Sequence, residues 1–158
     1  MINQVGIYGK QGVATASNTP GARQNSVAWA DAAGNFWLFG GGFGTYNKCE
    51  EVFSDLWKYD PVMGNWTWMK GASTSNQPGV YASMGEEEQI SNPGARYDAA
   101  SWIDASGNLS LLGGTGYDRA GNLGALNDQW KYDLVTGNWI WLKGASLTIQ
   151  NGTYGTLG

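Results

Sequence analysis

The chain has 158 residues, of which 42% are hydrophobic and 14% are charged, and its formal net charge is −4. This composition is too apolar for a disordered chain. The chain contains no run of 18 apolar residues, which a membrane-spanning helix would require. The negative charge argues against a nucleic-acid partner, because phosphates are neutralised by clustered basic residues. Histidine is absent, which removes the usual general base and the commonest transition-metal ligand.

The sequence consists largely of one unit that repeats with a period of 73 residues. Residues 13–85 and 86–158 align without a gap, and 30 of the 73 aligned positions are identical. A partial third copy precedes them, because NQVGIYG at residues 3–9 matches the end of both units. We therefore divide the chain into an N-terminal arm, residues 1–12, and two units, each ending in a further copy of the arm.

Each unit predicts four strands joined by turns. In the first unit, the turns DAAGN at residues 31–35 and PVMGN at 61–65 combine Asp, Pro, Asn and Gly, which favour tight hairpins. No window shows helical periodicity with capping residues, so we predict an all-β chain. The predicted strands are residues 23–30, 36–39, 55–60 and 66–70, with long loops at 43–54 and 71–95, and the second unit repeats this pattern with a loop at 116–127.

A glycine pair ends the second predicted strand of each unit, and a tyrosine, six further residues and a tryptophan follow later. These residues are Gly40-Gly41, Tyr59 and Trp66 in the first unit and Gly113-Gly114, Tyr132 and Trp139 in the second. This combination resembles a kelch repeat. The resemblance implies a β-propeller in which each four-stranded antiparallel sheet is one blade, although the period is longer than the roughly 50 residues typical of kelch units.

Two blades are too few to complete a propeller. Propellers have roughly 4 to 8 blades, and a single sheet with aromatic residues on both faces cannot bury both of them alone. We therefore expect the chain either to be part of a longer protein or to close a propeller with copies of itself. A homotrimer with six blades is the preferred assembly, and a homotetramer with eight is the alternative. The arm copies at residues 1–12 and 147–158 would then compete for one groove.

Two arginines at equivalent positions, Arg23 and Arg96, are candidate ligand residues. One interpretation is a ring of guanidinium groups around the propeller axis that binds an anionic ligand. The other is an arginine that is stacked on tryptophan inside its unit and paired with a carboxylate such as Asp60 or Asp133.

The remaining candidates are an unmatched tryptophan and two dissimilar loops. Trp37 has a serine at the equivalent position, so it could be an exposed platform for a sugar, whereas the other tryptophans are expected in the core. Loops carry function in many folds because the rigid sheets do not. The loop candidates for binding a ligand or partner are Tyr46, Lys48, Tyr117, Asp118 and Arg119.

The preferred function is a non-catalytic, kelch-like propeller module for protein–protein interaction or self-assembly. The alternative is a carbohydrate-binding, lectin-like propeller. We expect no enzyme activity, no cofactor and no metal site, because Cys49 has no histidine to activate it and no acid–base pair is visible.

Overall fold

The computed structural model describes residues 4–45, 48–152 and 154–156, and these residues form antiparallel β-sheets. The prediction of an all-β chain is confirmed. Within the described residues, no helix is long and apolar enough to cross a bilayer. The strands are β1 Val27–Ala30, β2 Phe36–Phe39, β3 Gly42–Thr45, β4 Lys48–Val52, β5 Leu56–Asp60, β6 Asn65–Lys70, β7 Arg96–Tyr97, β8 Ala100–Ile103, β9 Leu109–Tyr117, β10 Leu123–Asp133 and β11 Asn138–Lys143.

The first sheet has four strands in the order β1-β2-β5-β6, which agrees with the four predicted in the first unit. Its turns form where Asp, Asn and Gly were expected to allow them. The Asp31 carboxylate accepts hydrogen bonds from the backbone N–H groups of Ala33 and Asn35, at 3.0 and 2.9 Å. Gly64 adopts a φ of 67° in the turn between β5 and β6. Local side-chain bonds of this kind fix the hairpin geometry.

The second sheet has the order β11-β10-β9-β7, and β8 also pairs with β9. Its four longer strands, β8 to β11, correspond to the four strands of the first sheet. Strands β9 and β10 are longer than their counterparts because they continue through residues that were expected to be a loop.

The predicted loops at residues 43–54 and 116–127 were wrong. Residues 42–52 contain the two-stranded hairpin β3-β4, and the second loop is the end of the long β9-β10 hairpin. Asp118 closes that hairpin as Asp31 closes the first, by accepting hydrogen bonds from the N–H groups of Ala120 and Asn122. The glycines in both segments weaken the alternation by which a strand is recognised in sequence.

The two sheets stack face to face and enclose one hydrophobic core. The backbones also meet there: the Gly41 N–H donates to the Arg96 carbonyl at 2.8 Å, and the Arg96 N–H donates to the Phe53 carbonyl at 3.0 Å. Gly41 has a φ of 92°, and a side chain at this position would collide with Ser26. The buried side chains of this core are Val27, Trp29, Trp37, Phe39 and Leu56 from the first unit and Leu109, Leu111, Trp130, Tyr132 and Trp139 from the second, together with Tyr81.

Candidate functional site

Each sheet holds a cluster that receives a tyrosine from the arm preceding it, and we name this cluster the tyrosine seat. In the first seat, the Arg23 guanidinium donates to both oxygens of Asp55, at 2.6 and 2.9 Å. The Trp57 indole N–H and the Tyr8 hydroxyl both donate to Asp55 Oδ2, each at 2.7 Å. The Tyr8 ring also contacts the edge of Trp68, with the ring centroids 5.2 Å apart. The first seat thus consists of Arg23, Asp55, Trp57 and Trp68.

The second seat repeats this geometry 73 residues later. The Arg96 guanidinium donates to Asp128 at 2.7 and 2.8 Å, and the Trp130 indole and the Tyr81 hydroxyl donate to Asp128 Oδ2, each at 2.6 Å. The Tyr81 ring contacts Trp141 at a centroid distance of 5.1 Å. The second seat therefore consists of Arg96, Asp128, Trp130 and Trp141, and it recognises the same arm residue.

Burial and the neighbouring charges hold the second seat in one protonation state. Burial raises the pKa of Tyr81 well above the usual range, and the negative charge of Asp128 adds to this. Burial alone would raise the pKa of Asp128, but the charge and hydrogen bonds of Arg96 outweigh it, so that this pKa is lowered. The seat is consequently a fixed set of charged partners and a neutral hydroxyl donor, without a group that exchanges protons near neutral pH.

Both candidate arginines lie inside their units and not in an open ring. The side chains of Arg23 and Arg96 are 5% and 0% exposed, and each also donates to nearby backbone carbonyls. The suggested carboxylate partners, Asp60 and Asp133, were wrong. Asp60 instead accepts hydrogen bonds from the N–H groups of Val62 and Met63 in a turn, and Asp133 does the same in the second unit.

The contact between the sheets joins one face of the first sheet to the opposite face of the second. Phe39 packs against Trp139 with ring centroids 5.2 Å apart, and Trp37 packs against Tyr132 at 5.8 Å. The Trp29 indole N–H donates to the carbonyl of Trp102 at 3.1 Å. Because the two sheets are copies of one unit, each also carries the face that its neighbour uses, and among the described residues no other sheet covers this second face.

Three large apolar side chains on these two faces are much more exposed than their counterparts in the contact between the sheets. Trp29 is 6% exposed whereas its counterpart Trp102 is 38% exposed, and Phe39 is 0% exposed whereas Leu112 is 42% exposed. On the opposite face, Leu109 is 0% exposed whereas its counterpart Phe36 is 52% exposed. We name the surface around Trp102 and Leu112 the trailing face and the surface around Phe36 the leading face. The leading face also includes Leu38, Tyr59, Trp66 and Trp68, which are half-buried.

Trp37 is not the exposed platform that was considered for a sugar. It is buried between the two sheets, where its indole N–H donates to Asp31 Oδ2 at 2.8 Å and its ring packs on Tyr132. Its counterpart in the second sheet, Ser110, is also buried, at 2% exposed. Sequence comparison identified the difference between the two units but not that both positions are buried.

The loop candidates are not gathered in one place by the described contacts. Tyr46 lies outside the described residues, and the backbone of Lys48 begins β4. Tyr117 ends β9 and is half-buried, whereas Arg119 is exposed in the following turn. Asp118 is buried, which was not expected of a surface ligand. Burial would raise its pKa, but hydrogen bonds from Thr148, Asn122 and Ala120 outweigh this and lower it to about 2.

A cavity of about 300 Å³ lies beside the first seat. Its wall includes Gln4, Val5, Gly6 and Tyr8 from the N-terminal arm, together with Phe43 and Phe53. Among the described residues, no group of three or more cysteine or acidic side chains is arranged to hold a metal ion. The arm therefore forms part of a cavity wall and also fills the seat, a feature that sequence analysis identified only as a repeated segment.

Comparison with known proteins gives a likeness of fold. No family model and no curated protein matches the chain. Among solved structures, 84 chains match, and one of them is described as "Structure of YjhT". It superimposes with a TM-score of 0.55 at 15% identity, over 82% of this chain and 40% of YjhT. The chain thus spans about two fifths of the length of YjhT, and at this identity the likeness concerns the fold alone.

Proposed function

We infer that this chain is a non-catalytic, kelch-like propeller module that assembles with copies of itself, each four-stranded sheet acting as one blade. The single observation that supports this most is that equivalent positions on the two sheets are covered differently. The face that Trp29 and Phe39 belong to is covered by the second sheet, whereas Trp102 and Leu112, at the same positions one unit later, are exposed. An exposed apolar surface of this kind marks an interaction site.

The complementary surface is present on the same chain. Leu109 and Trp139 fill the contact within the chain, and their counterparts on the leading face are Phe36 and Trp66. A second copy could therefore place its leading face against the trailing face of the first with the same strand positions in contact. Such a contact is heterologous, because two different patches meet, and it forms a closed ring only if the rotation between copies closes.

We expect the backbone hydrogen bonds between the two sheets to be repeated at the contact between copies. Within the chain, Gly41 donates to the Arg96 carbonyl, and Arg96 donates to the Phe53 carbonyl. At a joint between copies, the corresponding donors are Gly114 of one copy and Arg23 of the next. The repeat thus supplies hydrogen bonds as well as apolar area for the assembly.

A six-bladed homotrimer is the preferred closure, and an eight-bladed homotetramer is the alternative. Two blades per chain permit only even totals, and propellers have roughly 4 to 8 blades. A protein ligand bound by the assembled ring is compatible with this proposal. We expect no hydrolase or redox turnover, because the chain has no histidine and the Arg23 and Arg96 guanidinium groups are bonded within their seats.

The direction of the contact can be tested with one charge on each face. Trp102→Glu places a carboxylate on the trailing face, and Phe36→Glu places one on the leading face. We expect each variant alone to be a monomer, because every joint then contains a buried unpaired charge. Mixed in equal amounts, they should form a heterodimer through the intact leading face of Trp102→Glu and the intact trailing face of Phe36→Glu. This dimer should grow no further, because the two faces that are still free both carry a glutamate. Size-exclusion chromatography with light scattering measures both states.

A matched control is Val135→Glu, at a turn position that is 95% exposed. It should assemble like the unmodified chain. If only one of the two face variants loses assembly, the contact is isologous or uses another surface, and head-to-tail pairing is overturned. Thermal unfolding of each variant checks that the sheets remain folded.

A further inference from the structure

The arm preceding each sheet is recognised by the same contacts in both units. Besides the tyrosine hydroxyl, the backbone takes part: the Ala22 N–H donates to the Gln4 carbonyl at 2.8 Å, and the Ala95 N–H donates to the Gln77 carbonyl at 2.9 Å. A short antiparallel bridge follows in each unit, Ile7 with Thr19 and Val80 with Asn92. The seat and these backbone bonds together form a receptor for a short segment with one tyrosine.

A third copy of this segment lies at residues 149–155. Its first residues have the same backbone conformation and hydrogen bonds as the first residues of the second copy. The Ile149 N–H donates to the Ala125 carbonyl at 3.0 Å, as the Asn76 N–H donates to the Val52 carbonyl at 2.7 Å. Ile149 has a φ of 56° and Asn76 a φ of 60°. The Gln150 side chain donates to the Thr148 carbonyl, as Gln77 does to Ser75.

The tyrosine of this third copy has no seat among the described residues of its own chain. Tyr154 is 91% exposed, because the first seat holds Tyr8 and the second holds Tyr81.

The two occupied seats differ in how firmly the arm is held. Tyr81 is buried and belongs to the segment between β6 and β7, so this arm is joined to a sheet at both of its ends. Tyr8 is half-buried, Val5 and Ile7 of the same arm are 86% and 52% exposed, and Val5 and Tyr8 line the 300 Å³ cavity. The first seat is therefore the exchangeable one.

We propose that residues 149–155 are a transferable arm that inserts Tyr154 into the first seat of a second copy, in place of residues 4–8 of that copy. This inference rests on the proposed self-association. Residues 71–81 lead from β6 to the second seat, and residues 144–154 leave β11 at the same point of the repeat. If the second copy sits against the trailing face as the second sheet sits against the first, the same number of residues reaches its seat.

The test is a photocrosslink from the transferable arm of the full chain. Thr156 is exposed and corresponds to Lys10, which is exposed next to the seated first arm, so p-benzoylphenylalanine at position 156 leaves Tyr154 free to bind. We expect a crosslinked dimer whose peptides join the arm to β6 or its flanking residues in another chain. The same reagent at position 135 should give no such product.

The outcomes separate this proposal from the proposed assembly. Oligomers without a crosslink to the first seat would overturn arm exchange and leave the pairing of faces intact. A monomer at all concentrations would overturn both. A crosslink to the seat within the same chain would also overturn exchange between copies.

A pair of tyrosine variants gives a second readout. Tyr154→Phe removes one hydroxyl from an exposed ring, so the stability of the isolated chain should not change, but the dissociation constant of the assembly should rise about tenfold because a hydrogen bond to a carboxylate is lost. Tyr8→Phe weakens the competing arm and should not weaken assembly. The opposite order of effects would contradict the exchange.

Discussion

The indole N–H of Trp29 donates a hydrogen bond to the backbone carbonyl of Trp102, the residue at the same position one repeat later. Asn25 and Asp98, which are also 73 residues apart, are hydrogen-bonded in the opposite direction, because the Asp98 N–H donates to the Asn25 carbonyl at 3.1 Å. Contacts between equivalent positions of successive units are head-to-tail, and nothing in such a contact ends the series at two. This relationship is the physical basis of the proposed assembly.

The two equivalent tryptophans Trp139 and Trp66 should differ in their contribution to stability. Trp139 is fully buried against Phe39, so Trp139→Ala should lower the free energy of unfolding by about 3–5 kcal/mol. Both were expected to be buried by the repeat, but Trp66 lies half-buried on the leading face. Trp66→Ala should therefore cost clearly less in a dilute monomer, as urea unfolding would measure. Equal losses in the monomer would show that the faces are not covered differently.

The acid limb of the stability curve should depend on Asp128. Its pKa is lowered in the folded chain, so the ionised carboxylate stabilises the fold above the unfolded value near 4, and this contribution is lost as the pH falls further. Asp128→Asn should flatten the acid limb and also destabilise the chain by about 3–5 kcal/mol, because Arg96 is left buried without its counterion. An unchanged acid limb in urea unfolding between pH 2 and pH 6 would contradict this.

The alkaline limb should depend on the seated tyrosines. Burial raises the pKa of Tyr81 above the unfolded value near 10, so the neutral hydroxyl stabilises the fold below that pH and the contribution is lost as the pH rises above it. Tyr81→Phe should reduce this loss of stability on going above pH 10. Tyr154→Phe is the matched control and should change nothing in the monomer, since Tyr154 is exposed.

Two glycines with similar φ angles should differ in the stability lost on substitution by alanine, because Gly34 lies in a turn and Gly41 lies at the contact between the two sheets. Gly34 has a φ of 84° and open space where a Cβ would be, so Gly34→Ala should cost about 1 kcal/mol. Gly41 has a φ of 92°, and its Cβ would clash with Ser26 and the Gln24 carbonyl. Because its N–H also bonds to Arg96, Gly41→Ala should cost about 3 kcal/mol or more. Similar melting temperatures for the two variants would contradict this account of the joint.

Sequence reasoning predicted the repeated sheet well because local residues determine it. The second strand of the first unit was predicted at its observed bounds, and the turn from Asp31 to Asn35 forms through its own side chains. The same D-x-x-G-N spacing occurs at residues 118–122, so the missed hairpin could have been found from that signal.

The candidate site was harder to predict because it depends on contacts between distant residues. Arg23 and Asp55 are 32 residues apart. Which carboxylate lies beside Arg23 therefore depends on how the strands are arranged in space. Trp37 is buried because a second sheet covers it, which no local pattern reports. The repeated arm was visible in sequence, but its function as the tyrosine that fills a seat required the geometry.

The most direct test of the proposed assembly is the native mass of the unmodified chain, measured by native mass spectrometry over a range of concentrations. The account predicts a discrete closed oligomer at three times the 16.9 kDa chain mass, or at four times in the alternative closure, with no species beyond it. A chain that remains at its monomer mass at every concentration would contradict the claim that the leading and trailing faces pair.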